Sequence, residues 1–97
     1  NHESATINAR TKAGYYPGAA PVSIKMVAEA GSGRILGVQA VGNDPVVASY
    51  IDIAATAIAR GVTIEDLFFM DIGYMPATAP VWHPLIVAAR VLSKGRF

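Results

Sequence analysis

The 97-residue sequence contains no cysteine, which excludes disulfide staples and any thiolate chemistry carried by these residues. It is also poor in charge. Asp, Glu, Lys and Arg make up 15% and leave a formal net charge of +1, against roughly 25% charged residues in an ordinary globular chain. No block of like charge stands out, so the electrostatic footprint of a nucleic-acid binder is missing. Long apolar runs are missing too. Asp44, Asp52, Arg60, Glu65, Asp66 and Asp71 interrupt every stretch that approaches the ~20 residues of a transmembrane helix, which argues against membrane insertion. Two distant histidines without cysteine give no metal site. The first residues, Asn1-His2-Glu3-Ser4, have neither an initiator methionine nor the layout of a signal peptide. The chain reads as one domain, residues 1–97, taken from a longer protein.

What is abundant is apolar side chain. Hydrophobic residues reach 53% before glycine is counted, where about 45–50% including glycine is usual. A chain this short has little interior in which to bury them. The excess implies a partner surface.

The pattern along the chain is that of an α+β protein, an antiparallel β-sheet with helices packed on one face. Ala5, Ile7 and Ala9 alternate with Thr6, Asn8 and Arg10, the period of a half-buried strand. Val22, Ile24, Met26 and Ala28 alternate in the same way. Gly31-Ser32-Gly33 then turns into a third strand over Ile35 to Val41, antiparallel to the second. A dinucleotide-binding fingerprint would need a third glycine and a helix directly after this turn, and the chain continues as strand instead. Asn43 or Asp44 caps the next helix, with Pro45 in its first position and Gly61 as its stop. That helix is apolar over most of its circumference, with a narrow polar stripe of Ser49, Asp52, Thr56 and Arg60. One side should face the sheet and another a second body. Thr63-Ile64-Glu65-Asp66 has the form of a capping box for a short helix that carries Leu67, Phe68, Phe69 and Met70 inward. A last apolar helix follows His83-Pro84, with Leu85, Val87, Ala88, Val91 and Leu92 at helical spacing.

Two loops hold the tyrosines of interest. Gly14, Pro17 and Gly18 bracket Tyr15 and Tyr16, while Met75-Pro76 and Ala79-Pro80 stiffen the stretch that opens with Tyr74. For an arbitrary tyrosine the plain reading is an aromatic at a loop–core boundary. Here the surrounding motifs add to it. Gly73-Tyr74-Met75-Pro76, Ala79-Pro80-Val81-Trp82-His83-Pro84 and Val87-Ala88-Ala89-Arg90-Val91-Leu92 resemble the C-terminal signature of FAD-dependent pyridine nucleotide-disulfide oxidoreductases. The branch of coenzyme A-disulfide reductases and NADH oxidases is nearest, with its Tyr-Ala-Pro-Pro loop, Ser-Pro-Val-Trp-Asp-Pro turn and Ala-Ala-Arg-Val-Leu helix. Gly14-Tyr15-Tyr16-Pro17-Gly18-Ala19 and Ile35-Leu36-Gly37-Val38-Gln39 match upstream, in the order of that family's dimerisation domain.

The resemblance implies a homodimer in which this domain completes the partner subunit's active site. Tyr74 and Tyr16 would be catalytic, each hydroxyl lying beside a redox cysteine and its thiol or disulfide substrate, such as coenzyme A. FAD and NAD(P)H would be held by other domains of a cytoplasmic parent enzyme, with none bound by residues 1–97. Tyr74 stands where glutathione- and lipoamide-type reductases carry a His-Pro loop with a downstream Glu, which argues against their chemistry. Met75-Pro76-Ala77-Thr78 departs from the branch's Ala-Pro-Pro-Phe-Ser, so coenzyme A disulfide, persulfide, oxygen and peroxide all stay open as acceptor. His83 replaces a common Asp and is expected to be a packed helix cap rather than a catalyst. Trp82 reads as an interface anchor, and Met70 and Met75 as gap fillers. The rival is a free-standing α+β interaction module without redox function, since fold alone does not carry function.

Overall fold

A computed structural model describes residues 1–11, 19–70 and 83–95. Among them the chain forms three strands, β1 (His2–Arg10), β2 (Pro21–Glu29) and β3 (Ile35–Gly42), and three helices, α1 (Val47–Ala59), α2 (Ile64–Phe68) and α3 (Pro84–Leu92). The strands lie in the order β1-β2-β3, both pairs antiparallel. Alternation sorts the sheet into two faces. Ile7, Val22, Ile24, Met26, Ala28 and Ile35 are buried beneath the helices, whereas Thr6 and Lys25, opposite each other on β1 and β2, stay exposed. Helix α3 lies against β1 and β2, and α1 against β3. Tyr50, Leu67, Leu85, Ala88 and Leu92 close the core from above. This is the α+β arrangement that the alternation of apolar residues predicts.

Strand β1 begins earlier than the apolar alternation indicates. His2, Glu3 and Ser4 pair with Glu29, Ala28 and Val27, because β2 offers backbone partners there whatever side chains the edge strand carries. The β2–β3 hairpin turns through Gly31 and Gly33, both at positive φ. At Gly33 a Cβ would also lie 3.3 Å from Ile64 Cγ1, so this position needs glycine for its conformation and for the close approach of α2.

Helix α1 starts two residues later than Pro45 suggests. The Asp44 carboxylate accepts from the Val46 N–H at 3.0 Å, and Val47, Ala48 and Ser49 donate to the carbonyls three residues back. Asp44, not Asn43, therefore caps a tight turn through Pro45 and Val46 that feeds the helix. The helix ends as Gly61 directs. Gly61 N–H donates to the Ile58 carbonyl and Val62 N–H to that of Ala57, the paired bonds of a left-handed C-terminal cap. Both legs of the Thr63–Asp66 capping box form, at 3.1 and 3.2 Å.

The expectation for the residues after Leu67 needs correction. Phe69 is 69% and Met70 41% exposed, so neither packs inward. Helix α2 ends at Phe68, and Leu67, buried, sets its inner direction. Phe69, two residues on, points about 200° around the helix from Leu67. Met70 is accordingly no gap filler.

Candidate functional site

Tyr16 and Tyr74, the two residues singled out by motif, lie outside the described residues, as do Tyr15, Trp82 and Met75. The structure does describe the framework at the ends of the two segments that hold them. It is built on one carboxylate and one aromatic pair.

At the first segment, Thr11 N–H donates to the Ala20 carbonyl at 2.9 Å, and Ala20 N–H donates to Thr11 Oγ1 at 3.3 Å. The Arg10 guanidinium donates to the Ala19 carbonyl at 2.8 Å. The chain thus leaves and re-enters the sheet at one closed point. Thr11 is fully buried, and its hydroxyl donates to Asp44 Oδ2 at 3.1 Å. With its other oxygen on Val46, Asp44 fastens this point to the start of α1.

At the second segment, His83 is the N-cap of α3 and is only 4% exposed. Its Nδ1 accepts from the Leu85 N–H at 3.1 Å, which places the ring proton on Nε2. The imidazole meets the Tyr50 ring edge-on, with centroids 4.6 Å apart at 66°, a favoured aromatic geometry. Tyr50 projects from the first turn of α1. Both segments are therefore anchored, one through Asp44 and the other through Tyr50, to the same end of one helix.

The electrostatics of this framework keep its aromatic members uncharged. Burial pushes the His83 pKa down from 6.5 to about 4. Burial, then the nearby Asp44 carboxylate, pushes the Tyr50 phenol up. At neutral pH neither exchanges protons readily, and the His83 Nδ1 lone pair is already engaged. These are supports, not acid–base groups, as expected of His83. The pairing of Thr11 with Asp44 and of Tyr50 with His83, each 33 residues apart, has no signature in the sequence.

The Tyr50 hydroxyl is buried without a hydrogen-bond partner among the described residues. An unsatisfied buried hydroxyl costs about 1–3 kcal/mol, so Tyr50→Phe should stabilise the fold by about 1 kcal/mol while keeping the contact with His83. Chemical denaturation of both proteins checks this. A less stable Phe variant would show that the hydroxyl finds a partner.

Among the described residues no three His, Cys, Asp or Glu side chains come together as metal ligands, and no helix is long and apolar enough to cross a membrane. The Gly31–Gly33 turn leads into β3 rather than a helix, so it does not fit a nucleotide phosphate.

Comparison with known proteins gives the framework its setting. Residues 2–85 match the family described as pyridine nucleotide-disulphide oxidoreductase, dimerisation domain. The chain is 49% identical over 89 residues to an NAD(P)H sulfur oxidoreductase (CoA-dependent) of Pyrococcus furiosus, covering 92% of this chain and 20% of that protein. It is 40% identical over 81 residues to an NADH oxidase of Methanocaldococcus jannaschii, covering 84% and 18%. Among solved structures it is similar to an NAD-dependent persulfide reductase from A. fulgidus, with a TM-score of 0.89 and 33% identity over 97% of this chain and 18% of that one. Reduced CoADR-RHD of Bacillus anthracis gives a TM-score of 0.91 and 34% identity over 97% and 17%. The chain spans about a fifth of the length of the curated relatives it matches. In fold, in the residues matched and in identity, the chain belongs to the dimerisation-domain family of the pyridine nucleotide-disulphide oxidoreductases.

Proposed function

We propose that residues 1–97 form the dimerisation domain of a longer flavoenzyme that uses NAD(P)H to reduce a thiol-linked sulfur substrate, and that the domain completes the active site of the partner subunit. The observation that carries this reading is 49% identity, over 92% of the chain, to a CoA-dependent NAD(P)H sulfur oxidoreductase. The similarity to a persulfide reductase supports the same choice of acceptor. Identity to an NADH oxidase is lower, and oxygen is the second reading on that ground. A free-standing interaction module is disfavoured, because these relatives carry the domain as one part of an oxidoreductase.

FAD and NAD(P)H would be bound by other domains of the parent chain, since the glycine turn here does not fit them. The flavin would relay reducing equivalents from the nicotinamide to the sulfur centre. This domain's part would be positional and electrostatic. Tyr74 and Tyr16 would each present a phenol to the partner's redox cysteine and its substrate. A phenol donates a hydrogen bond to a thiolate without placing a fixed charge in the site. Thr11–Asp44 and Tyr50–His83 would hold the ends of the two tyrosine-bearing segments on the rigid end of α1. The parent enzyme is assigned to the cytoplasm.

The test is acceptor preference in the full-length protein. NAD(P)H oxidation should be fastest with coenzyme A persulfide or polysulfide, slower with coenzyme A disulfide and slowest with oxygen. An enzyme with oxygen as its best acceptor would move the assignment to the NADH oxidases.

A further inference from the structure

Asp44 makes more connections than a helix cap requires. Capping takes one carboxylate oxygen for one free N–H, and Oδ1 does this by accepting from Val46 at 3.0 Å. The other oxygen, Oδ2, accepts from the Thr11 hydroxyl at 3.1 Å, and the Asp44 carbonyl accepts from the Val47 N–H at 3.0 Å. Its charge also reaches the Tyr50 phenol and helps to keep it protonated.

Two branches run outward from this residue. In one direction Thr11 is fully buried with its hydroxyl engaged twice, donating to Asp44 and accepting from the Ala20 N–H at 3.3 Å. Tyr16 lies five residues beyond Thr11. In the other direction Asp44 fixes the turn into α1, and the fully buried Tyr50 ring, from the first turn of that helix, meets His83 with centroids 4.6 Å apart. His83 caps α3 and follows the segment that opens with Tyr74. Pinning the end of a short segment removes conformations that it would otherwise sample. A hydrogen bond donated in a transition state depends on such placement, since an error of about 1 Å can cost on the order of a hundredfold in rate.

We infer that Asp44 is a positioning residue for both catalytic tyrosines, setting the Tyr16 segment through Thr11 and the Tyr74 segment through the first turn of α1, Tyr50 and His83. Asp44 itself touches no substrate in this role, which rests on the catalytic reading of Tyr16 and Tyr74 above. Its removal can therefore cost no more than the two phenols supply.

Mutant cycles in the full-length holoenzyme test this, with coenzyme A persulfide as acceptor and turnover counted per folded dimer. Asp44→Ala should lower kcat at least about tenfold and leave KM within about twofold. Thr11→Val, which keeps the shape and deletes the hydroxyl, should lower kcat too, and Thr11→Ser should restore it. The decisive readout is the background in which each loss disappears. Thr11→Val should cost nothing further in Tyr16→Phe, because a phenol already absent cannot be misplaced. His83→Asn, which keeps a cap and deletes the contact with Tyr50, should likewise cost nothing further in Tyr74→Phe. Asp44→Ala should still lower kcat at least about twofold in Tyr16→Phe, where Tyr74 remains to be displaced, and should have no effect in the Tyr16→Phe/Tyr74→Phe double. An Asp44→Ala loss of the same factor in all these backgrounds marks a merely structural residue and overturns the proposal. Wild-type turnover in Asp44→Ala, with both tyrosine variants impaired, overturns it as well and leaves the tyrosines catalytic. Wild-type turnover in both tyrosine variants removes the catalytic reading and the role of Asp44 together. If Asp44→Ala does not assemble, Asp44→Asn takes its place, keeping an oxygen for Val46 while an amide faces Thr11. Its loss should disappear in Tyr16→Phe, and a loss that persists there overturns the proposal.

Discussion

Between pH 6.5 and about 4 the fold should lose up to about 3 kcal/mol of stability through one side chain, His83. The unfolded imidazole titrates near 6.5, and in the folded chain burial lowers the pKa to about 4. In that window the unfolded state binds a proton that the native state refuses. Stability therefore falls as pH falls, at about 1.4 kcal/mol per pH unit in the middle of the window. Above 6.5 the ring is neutral in both states and contributes no slope. Below about 4 it is charged in both, and the loss from this group is complete.

The geometry explains why the native state refuses the proton. Nδ1 accepts from Leu85 N–H at 3.1 Å, and a proton there would leave that donor at the start of α3 uncapped. The positive charge would also sit at the positive end of the α3 dipole. His83→Asn keeps a capping oxygen and cannot titrate. The difference in unfolding free energy between wild type and His83→Asn, followed by urea denaturation from pH 7.5 to 4, isolates the histidine from carboxylates such as Glu29. The Glu29 carboxyl is held below its usual value by the Ser32 hydroxyl and by Arg34, and it titrates equally in both proteins. A difference that stays flat with pH would show that the buried ring accepts its proton at an ordinary pKa.

That histidine marks the limit of what the linear sequence displays. The strands were legible because Val22, Ile24, Met26 and Ala28 report one buried face through a period of two. The Thr63–Asp66 box was legible because capping is local, a matter of residues three apart. His83 was legible as a cap for the same reason. Its partner was not, since Tyr50 reaches the ring from the first turn of α1, 33 residues upstream, and no local pattern records that. Phe69 and Met70 misled because apolar character suggests burial, yet the end of α2 at Phe68 turns them outward. Their exposure is itself informative, because it places Met70 on a groove beside Asp52 and Arg60. For the site, the motifs named Tyr16 and Tyr74, both outside the described residues, whereas the pairings of Thr11 with Asp44 and of His83 with Tyr50 became visible only as tertiary structure. Asp44 shows the difference most clearly. From sequence it competed with Asn43 as a helix cap, and in the fold it also receives the Thr11 hydroxyl from 33 residues upstream.

Tyr74→Phe in the full-length enzyme should lower turnover ten- to a hundredfold and leave substrate binding nearly unchanged. The substitution keeps the ring and deletes one donor. If that donor stabilises a thiolate in the transition state, the loss is that of a hydrogen bond to a charged group, about 1.5–3 kcal/mol, and it falls on the chemical step. KM should move little, because the ring still fills its place. A structural tyrosine would behave differently, lowering the melting temperature while turnover per folded dimer stays intact. Tyr16→Phe should give a similar loss, and the double variant should fall short of the product of the two, since two phenols serving one sulfur act as a unit. The roles can also be separated by subunit. If the domain completes the partner's site, a heterodimer of one Tyr74→Phe chain with one chain lacking the redox cysteine has only two kinds of site. When the Phe chain supplies the cysteine, its partner supplies an intact Tyr74, and that site should turn over at the wild-type rate per site. The other site lacks both groups and should be inactive. Activity at half the wild-type value per dimer thus marks a tyrosine acting across the interface. Loss of that activity, down to half the level per dimer of the Tyr74→Phe homodimer, would mark a tyrosine acting within its own chain.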